Sequence, residues 1–284
     1  MSLPDFIIGG APKCGTTALF EYLNQHPQVF TSTPKEPHFF ASEGGETRVR
    51  GMRFTRKEYE ALFSEKDDKQ IAGEASTGYL CHARRTAPKI SELVPDARLI
   101  FSLRDPAQRD YSEYWFRAHT GDLPLGKPFS DYVSNSDHWI FHGSKSYLHG
   151  LRTFYSHLCE EQILVLLTSD LRENSEEVLR RVCDHIGVES GFDFDLSARR
   201  NVTKHPRSVQ LCRWIGQVAP GVSKWASRTK WLRGLRSRLL FSSSAERPPM
   251  REDDRKRLVD RYEQEIEELE RLIGRDLSHW RSSR

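Results

Sequence analysis

The amino-acid sequence predicts an α/β fold in which a central, mainly parallel sheet is flanked by helices. Short apolar runs alternate with stretches of helical periodicity, a pattern typical of parallel strands joined by crossover helices. Hydrophobic residues make up 37% of the 284 and charged residues 29%, as in ordinary globular proteins. This length allows one large domain or two small ones, and we interpret residues 1–284 as a single domain.

Local signals place the elements along the chain. Strands are predicted near 5–9, 71–74, 98–103 and 162–167, and helices near 16–25, 86–94, after 105, before 187 and at about 251–273. Asp105 supplies a capping side chain, and Pro106 is favoured at a first helical position. Asn174 and Glu177 are a predicted capping pair for the helix that ends at Gly187. The last helix is amphipathic, with one apolar stripe formed by Leu258, Tyr262, Ile266, Leu269 and Ile273.

The turn after the first strand is a predicted phosphate site. Residues 10–17 read Gly-Ala-Pro-Lys-Cys-Gly-Thr-Thr and open a helical pattern, so backbone N–H groups and the positive end of a helix dipole face an anion. The glycine spacing matches a nucleotide P-loop, but Thr16-Thr17 stand where Lys-Ser/Thr would follow. Lys13 lies inside the turn instead, near the atom that bridges a phosphate to its neighbour. The turn lacks the β/γ-phosphate lysine of a kinase or ATPase.

Three motifs, in the expected order, resemble one family. They are Pro-Lys-x-Gly-Thr-Thr at 12–17, Lys-Glu-Pro-His-Phe-Phe at 35–40, and a strand ending in Leu-Arg-Asp-Pro at 103–106 with a serine eight residues past the arginine. The sequence resembles sulfotransferases that use 3′-phosphoadenosine 5′-phosphosulfate (PAPS), and is most similar to their carbohydrate (heparan-type) and related bacterial branch. The resemblance covers most of the chain except roughly 203–245. It implies a three-layer P-loop-like fold.

The resemblance implies an enzyme that moves the sulfuryl group of PAPS to an acceptor hydroxyl by in-line attack and releases 3′-phosphoadenosine 5′-phosphate (PAP). Such a reaction depends on positioning and on stabilising charge at the leaving bridge oxygen, where Lys13 is the implied cation. Arg104 and Ser112 are the implied ligands of the 3′-phosphate, for which a guanidinium offers paired donors. The implied nucleotide-binding residues are Lys13, Cys14, Gly15, Thr16, Thr17, Arg104, Ser112 and Arg247.

The acceptor hydroxyl needs a base, and Glu36 and His38 are the candidates. The resemblance assigns this role to Glu36, while His38 is the alternative because imidazole exchanges protons near neutral pH. The two lie two residues apart, so in an extended segment their side chains share a face. A structural alternative for Glu36 is an ion pair with Lys35 or another cation. The candidate catalytic residues are therefore Lys13, Glu36 and His38.

One position departs from the heparan-type pattern. A lysine follows the glutamate in the matching segment of those relatives, whereas residues 73–77 here read Gly-Glu-Ala-Ser-Thr. With Ala75 at that position, either Lys13 acts alone at the sulfuryl group or an arginine reaches in from elsewhere. The departure also argues against a sulfated glycosaminoglycan as acceptor. The hydroxyl of a carbohydrate, a lipid or a natural-product scaffold remains open.

Residues 203–247 form a predicted basic helical insertion. They carry ten lysines and arginines against the single acidic residue Glu246, with Trp214, Trp225 and Trp231 interleaved. One interpretation is a structural insertion whose arginines are solvated and whose tryptophans pack on the sheet. The other is a lid over the acceptor site that attracts an anionic acceptor or carrier. Nucleic acid would use similar residues, but the net charge of +3 disfavours it.

Two rival functions use similar residues. A P-loop kinase or NTPase would need Lys-Ser/Thr after Gly15 and an aspartate ending the strand at 98–103, where the sequence has Thr16-Thr17 and Arg104. An inactive adenosine-phosphate sensor would keep the phosphate ligands but tolerate loss of Glu36.

No metal-ligand spacing is present, so no metal is expected. Five cysteines at irregular spacing and the lack of an apolar run of membrane length predict a soluble, cytoplasmic protein. A bacterial-type chain is expected rather than a trimmed secretory-pathway enzyme.

Overall fold

The computed structural model divides the chain into two compact units. The first consists of Met1–Arg104, Lys145–Asn201 and Arg271–Ile273, and the second of Asp105–Ser144, Val202–Glu270 and Gly274–Arg284. The structure describes residues 3–41, 54–124, 126–135, 138–141, 143, 147–197, 205–206, 208, 211–212, 214, 239–242 and 247–282. The single domain expected over residues 1–284 stays a prediction.

A five-stranded parallel sheet forms the centre of the first unit. Its strands are β1 (Phe6–Gly10), β2 (Val29–Thr31), β3 (Ile71–Ala75), β4 (Arg98–Leu103) and β5 (Ile163–Leu167). They lie in the order β2-β3-β1-β4-β5, and all adjacent pairs are parallel. Because the strands share one direction, their carboxyl ends meet at one edge of the sheet. The predicted parallel α/β sheet is confirmed.

The α-helices with bounds in the described residues are α1 (Thr16–Leu23), α2 (Arg56–Ala61), α3 (Ala83–Leu93), α4 (Pro106–Thr120), α5 (Phe129–Val133), α6 (Tyr147–Tyr155), α7 (Thr168–Glu173), α8 (Ser175–Ile186) and α9 (Glu252–Ile273). A short antiparallel pair, β6 (His205–Pro206) and β7 (Phe241–Ser242), belongs to the second unit. Within the described part of the chain, no helix has the length and apolar character needed to cross a membrane.

Helices cover both faces of the sheet in the first unit. On one face, α1 and α8 pack on the strands through a single buried cluster that includes Ile8, Leu19, Ile100 and Val182. On the other face, α6 packs on β4, where the rings of Phe101 and Phe154 have centroids 4.8 Å apart. Alternation of side chains along a strand therefore supplies two apolar faces, as a parallel sheet between helix layers requires.

The second unit is organised around buried charges. The Asp110 carboxylate accepts a hydrogen bond from Tyr262 Oη of α9 at 2.7 Å and lies 3.1 Å from the Arg109 guanidinium. Burial is the main cause that raises the pKa of Tyr262, with a further contribution from Asp110. Asp105 caps α4 through the backbone N–H of Ala107 at 2.9 Å, as predicted, and pairs with Arg255 at 2.7 Å. The capping aspartate thus also holds α9.

The predicted helix termini differ in one detail. Helix α9 confirms the amphipathic helix expected at about 251–273. Helix α8 ends at Gly187 as expected, but within the described residues the Asn174 side chain makes no capping hydrogen bond. Asn174 also ends α7 and has φ −137° and ψ 57°, a corner between two helices instead of the extended conformation of a capping residue. Glu177 pairs with Arg180 at 2.7 Å instead.

Gly73 allows β1 and β3 to pack closely. A Cβ atom at this position would lie 2.0 Å from Cζ of Phe6, a ring that is fully buried. A side chain at position 73 would therefore displace a core aromatic ring at the centre of the sheet.

We expect Gly73→Ala to lower the free energy of unfolding by about 1–3 kcal/mol, the typical cost of overpacking a core. The control is Gly191→Ala, where the nearest atom to an added Cβ is 4.0 Å away, and a change within about 0.5 kcal/mol is expected. Urea denaturation of both variants measures the difference. Equal stabilities of the two variants would contradict the packing argument.

Candidate active site

The glycine turn, residues 10–15, connects β1 to α1 at the carboxyl edge of the sheet. Gly15 precedes α1 with φ 80°, and Lys13 adopts φ 68°, both in the left-handed region. In the described residues no side chain caps α1. Its first N–H groups, those of Thr16 and Thr17, therefore lack the side-chain acceptor that usually satisfies a helix start. An anion can take that place, assisted by the helix dipole.

Hydrogen bonds from the neighbouring strand and from α7 hold the glycine turn. The Cys14 carbonyl oxygen accepts from Ser102 Oγ at 2.6 Å and from Thr168 Oγ1 at 3.1 Å. The Ala11 N–H donates to the Ser102 carbonyl at 2.9 Å. Cys14 Sγ is buried and lies 3.1 Å from Tyr147 Oη of α6. Its side chain points into the protein, so a ligand in the turn would meet backbone at this position.

Glu36 and His38 come together, but not by the predicted geometry. Both have positive φ, 63° and 53°, so the segment is a turn in the left-handed region instead of an extended strand. The ring of Pro37, which lies between them, fixes the φ angle of that residue at about −65°. The turn places His38 Nε2 3.6 Å from Glu36 Oε2. The carboxylate and the imidazole therefore share one small site, each with about a tenth of its side chain exposed.

Two further donors contact Glu36. Lys35 Nζ donates to Glu36 Oε1 at 3.2 Å, which confirms the ion pair considered as its structural role, and Thr77 Oγ1 donates to the same oxygen at 3.3 Å. Lys35 Nζ also donates to Thr17 Oγ1 at 3.2 Å. Lys35 thus connects the candidate base to the start of α1, the predicted phosphate site.

A buried carboxylate lies beneath this segment. Glu74 of β3 is fully buried and accepts hydrogen bonds from Tyr59 Oη at 2.6 Å, Tyr79 Oη at 2.9 Å and Ser76 Oγ at 2.6 Å. Burial raises the pKa of Glu74, against the opposing effect of its three donors. Ser76 Oγ in turn accepts from the His38 N–H at 3.0 Å. Glu74 therefore positions the turn that carries Glu36 and His38.

The residues expected at the 3′-phosphate lie in both units. Arg104 directly follows β4 and is half-buried, at the same sheet edge as the glycine turn. Ser112 of α4 is buried in the second unit. Also in that unit, the Arg247 guanidinium lies 4.8 Å from the Tyr111 ring centroid and hydrogen-bonds Gln108. Arg247 therefore contacts the first two turns of α4, the part that carries Ser112.

Most of the basic segment at 203–247 lies outside the described residues. The two interpretations of this segment, as a lid or as a structural insertion, therefore stay predictions. Among its described residues, the Trp214 side chain is 60% exposed, which contradicts packing of this tryptophan against the protein. The described part of the chain brings together no group of three His, Cys, Asp or Glu side chains suited to a metal ion.

Sequence reasoning missed the support beneath the site. It examined residues 73–77 only for an absent lysine and overlooked Glu74 itself, a carboxylate inside an apolar strand. Such a residue is a signal, because a buried charge requires partners. The partners Tyr59 and Tyr79, and Thr168 beneath the glycine turn, had no local signal.

We expect Ser76→Ala to lower the free energy of unfolding by about 1–3 kcal/mol, because it removes the hydroxyl that accepts from the buried His38 N–H and donates to Glu74. Ser64→Ala is the control, since this hydroxyl donates to the Ala61 carbonyl at an exposed position. Urea denaturation measures both variants. A loss no larger than that of the control would show that Ser76 does not support the turn.

The chain matches a family of known proteins. A model described as "Sulfotransferase family" matches residues 4–193. Membrane-associated sulfotransferase kil1 of Dictyostelium discoideum is 37% identical over 116 residues, which cover 41% of this chain and 23% of that protein. Bifunctional heparan sulfate N-deacetylase/N-sulfotransferase 4 of Mus musculus is 24% identical over 297 residues, which cover 98% of this chain and 31% of that protein. The chain spans less than a third of the length of these curated relatives.

A solved structure shows the same fold. The crystal structure of a sulfotransferase from Alicyclobacillus acidocaldarius matches with a TM-score of 0.72 at 24% identity, covering 99% of this chain and 100% of that one. This match confirms the expected P-loop-like architecture. Since the family model spans more than half of the sequence, the chain belongs to the sulfotransferase family.

Proposed function

We propose that this protein is a PAPS-dependent sulfotransferase that forms a sulfate ester on an acceptor hydroxyl. The observation that carries the proposal is the contact between two sites the reaction needs. The phosphate site at the start of α1 and the candidate base Glu36 are joined by Lys35, 3.2 Å from Thr17 Oγ1 and 3.2 Å from Glu36 Oε1. A base next to a phosphate site suits transfer of a group from a phosphate anhydride to a hydroxyl.

The residues present fit the nucleotide. The helix start at Thr16 and Thr17 offers N–H and hydroxyl donors to a 5′-phosphate, and Lys13 in the turn is the cation proposed for the bridge oxygen. Cys14 contributes backbone only, since its thiol faces Tyr147. When bound, PAPS supplies an activated sulfuryl group on a phosphate leaving group.

Glu36 is the proposed base. Its carboxylate takes the proton of the acceptor hydroxyl, while the acceptor oxygen bonds to sulfur and the electron pair of the cleaved S–O bond goes to the 5′-phosphate. His38 Nε2 lies 3.6 Å from the other carboxylate oxygen of Glu36. This proximity keeps the histidine as the alternative base.

Arg104 and Ser112 are the proposed ligands of the 3′-phosphate, with Arg247 as a third. Arg104 is supported by its place at the carboxyl edge of the sheet, where α/β folds bind ligands. Arg247 is supported by its contact with α4 near Ser112. A 3′-phosphate distinguishes PAP from ATP-like ligands, so these residues account for the proposed choice of nucleotide.

The acceptor class and the compartment are broader proposals. A hydroxyl on a carbohydrate, lipid or natural-product scaffold suits a carboxylate base. A cytoplasmic location is proposed from the irregular spacing of the five cysteines in the sequence, which does not suit a disulfide framework.

Calorimetry tests the choice of nucleotide. We expect PAP to bind more tightly than ATP with magnesium. Arg104→Ala should lower the affinity for PAP about 10- to 100-fold, the effect of losing a charged hydrogen bond. Its affinity for adenosine 5′-monophosphate should change little, because that ligand lacks the 3′-phosphate. Equal weakening of both ligands would contradict the assignment of Arg104. Preference for ATP with magnesium would contradict the proposed function.

Sulfuryl transfer tests the base. With ³⁵S-labelled PAPS and a pool of hydroxyl acceptors, we expect Glu36→Gln to lower turnover about 10²- to 10⁴-fold, the usual contribution of a general base. Its affinity for PAP should stay within about threefold of the wild type, because the base contacts the acceptor. The control Glu65→Gln lies at an exposed position and should transfer at the wild-type rate. Activity that survives Glu36→Gln would transfer the role to His38 or another group. A wild-type chain that binds PAP but transfers nothing would instead support the inactive sensor.

A further inference from the structure

Lys35 is the first residue of the Lys-Glu-Pro-His-Phe-Phe motif, and its only role considered so far is the ion pair with Glu36. Its ammonium donates to Thr17 Oγ1 on α1 and to Glu36 Oε1, each at 3.2 Å, and its side chain is 21% exposed. It also lies 5.9 Å from the centroid of the Phe20 ring on α1. The ammonium is thus held at the start of α1, close to where a 5′-phosphate would bind.

The position at which heparan-type relatives supply a cation carries no charge in this sequence. Ala75 stands where heparan-type relatives carry a lysine, and its methyl group is fully buried in the core between the sheet and α1. That position therefore supplies no charge to the site. Lys35 brings an ammonium to the site from the segment after β2.

We propose that Lys35 is a second catalytic cation, which binds the 5′-phosphate beside Thr17 and stabilises it as the leaving group. The inference rests on the proposed function, because it assigns a ligand to the same nucleotide. An ammonium has three donors, so Lys35 can keep its contact with Glu36 while it donates to a phosphate oxygen.

The position of Lys35 suits the movement of charge during transfer. Before transfer, negative charge lies on the Glu36 carboxylate, 3.2 Å from Lys35 Nζ. As the acceptor proton reaches that carboxylate it becomes neutral, and the electron pair of the cleaved S–O bond adds charge to the phosphate. Charge therefore leaves one neighbour of Lys35 and appears at the other. Because Lys35 contacts both groups, it keeps an anionic neighbour throughout the transfer and is in place to stabilise the charge that builds on the phosphate.

PAP is the leaving group itself, so its affinity reports the contact directly. We expect Lys35→Met to weaken PAP about 10- to 100-fold in calorimetry, the effect of losing one charged hydrogen bond to phosphate. Adenosine 3′-monophosphate lacks the 5′-phosphate, and its affinity should change less than about twofold. Lys35→Arg keeps the charge and should recover most of the loss. The matched control is Lys57→Met, at an exposed position of α2 in the same unit.

Each outcome separates the inference from the function it rests on. Wild-type chain that binds no PAP would overturn the proposed function and this assignment with it. Wild-type chain that binds PAP together with a Lys35→Met variant of equal affinity would overturn only the role of Lys35. Equal loss of PAP and adenosine 3′-monophosphate would also overturn it, because Lys35 would then act only as a structural link between Glu36 and α1. Lys35→Arg guards against a folding defect, since it retains a cation of similar length.

Discussion

The candidate site depends on the hydrogen bonds that hold the Cys14 carbonyl. Ser102 Oγ and Thr168 Oγ1 donate to it at 2.6 and 3.1 Å. Each such bond contributes about 0.5–1.5 kcal/mol net. A left-handed residue such as Lys13 costs about 1–2 kcal/mol, so the two bonds together offset that cost. With the turn held in this way, the start of α1 has a fixed orientation before any ligand arrives.

The strand order explains why distant segments meet at that turn. β1 lies at the centre of the sheet, with β3 and β4 as its two neighbours. Ser76 and Thr77 follow β3, Arg104 follows β4, and Thr168 follows β5, all at the same edge. Segments separated by more than a hundred residues therefore surround the candidate anion site. The short strand β2 places the segment with Lys35 and Glu36 beyond β3, where it can contact both Thr77 and Thr17.

The sequence predicted the parts of the fold that have a local signal. Four strands were visible as apolar runs, whereas β2 has three residues, too few for a recognisable period. Glu36 and His38 were predicted to lie close together, but in an extended segment instead of the left-handed turn that the structure has. That conformation is set by contacts of the turn and not by residue type. Tyr59 reaches Glu74 from fifteen residues away, and a contact of that kind leaves no trace in spacing. The glycine turn was found because glycine, lysine and threonine types are themselves the signal there.

The backbone of Glu36 and His38 has an evolutionary consequence. Glycine or asparagine would adopt φ 63° and 53° at a lower energetic cost, whereas the proposed proton transfer requires an ionisable side chain here. If the proposed roles hold, selection for heat tolerance alone would drive both residues toward replacements that abolish turnover. Laboratory evolution of a more thermostable variant that keeps its activity should therefore leave this turn unchanged. Stabilising substitutions, such as prolines in surface loops, should appear elsewhere in the chain.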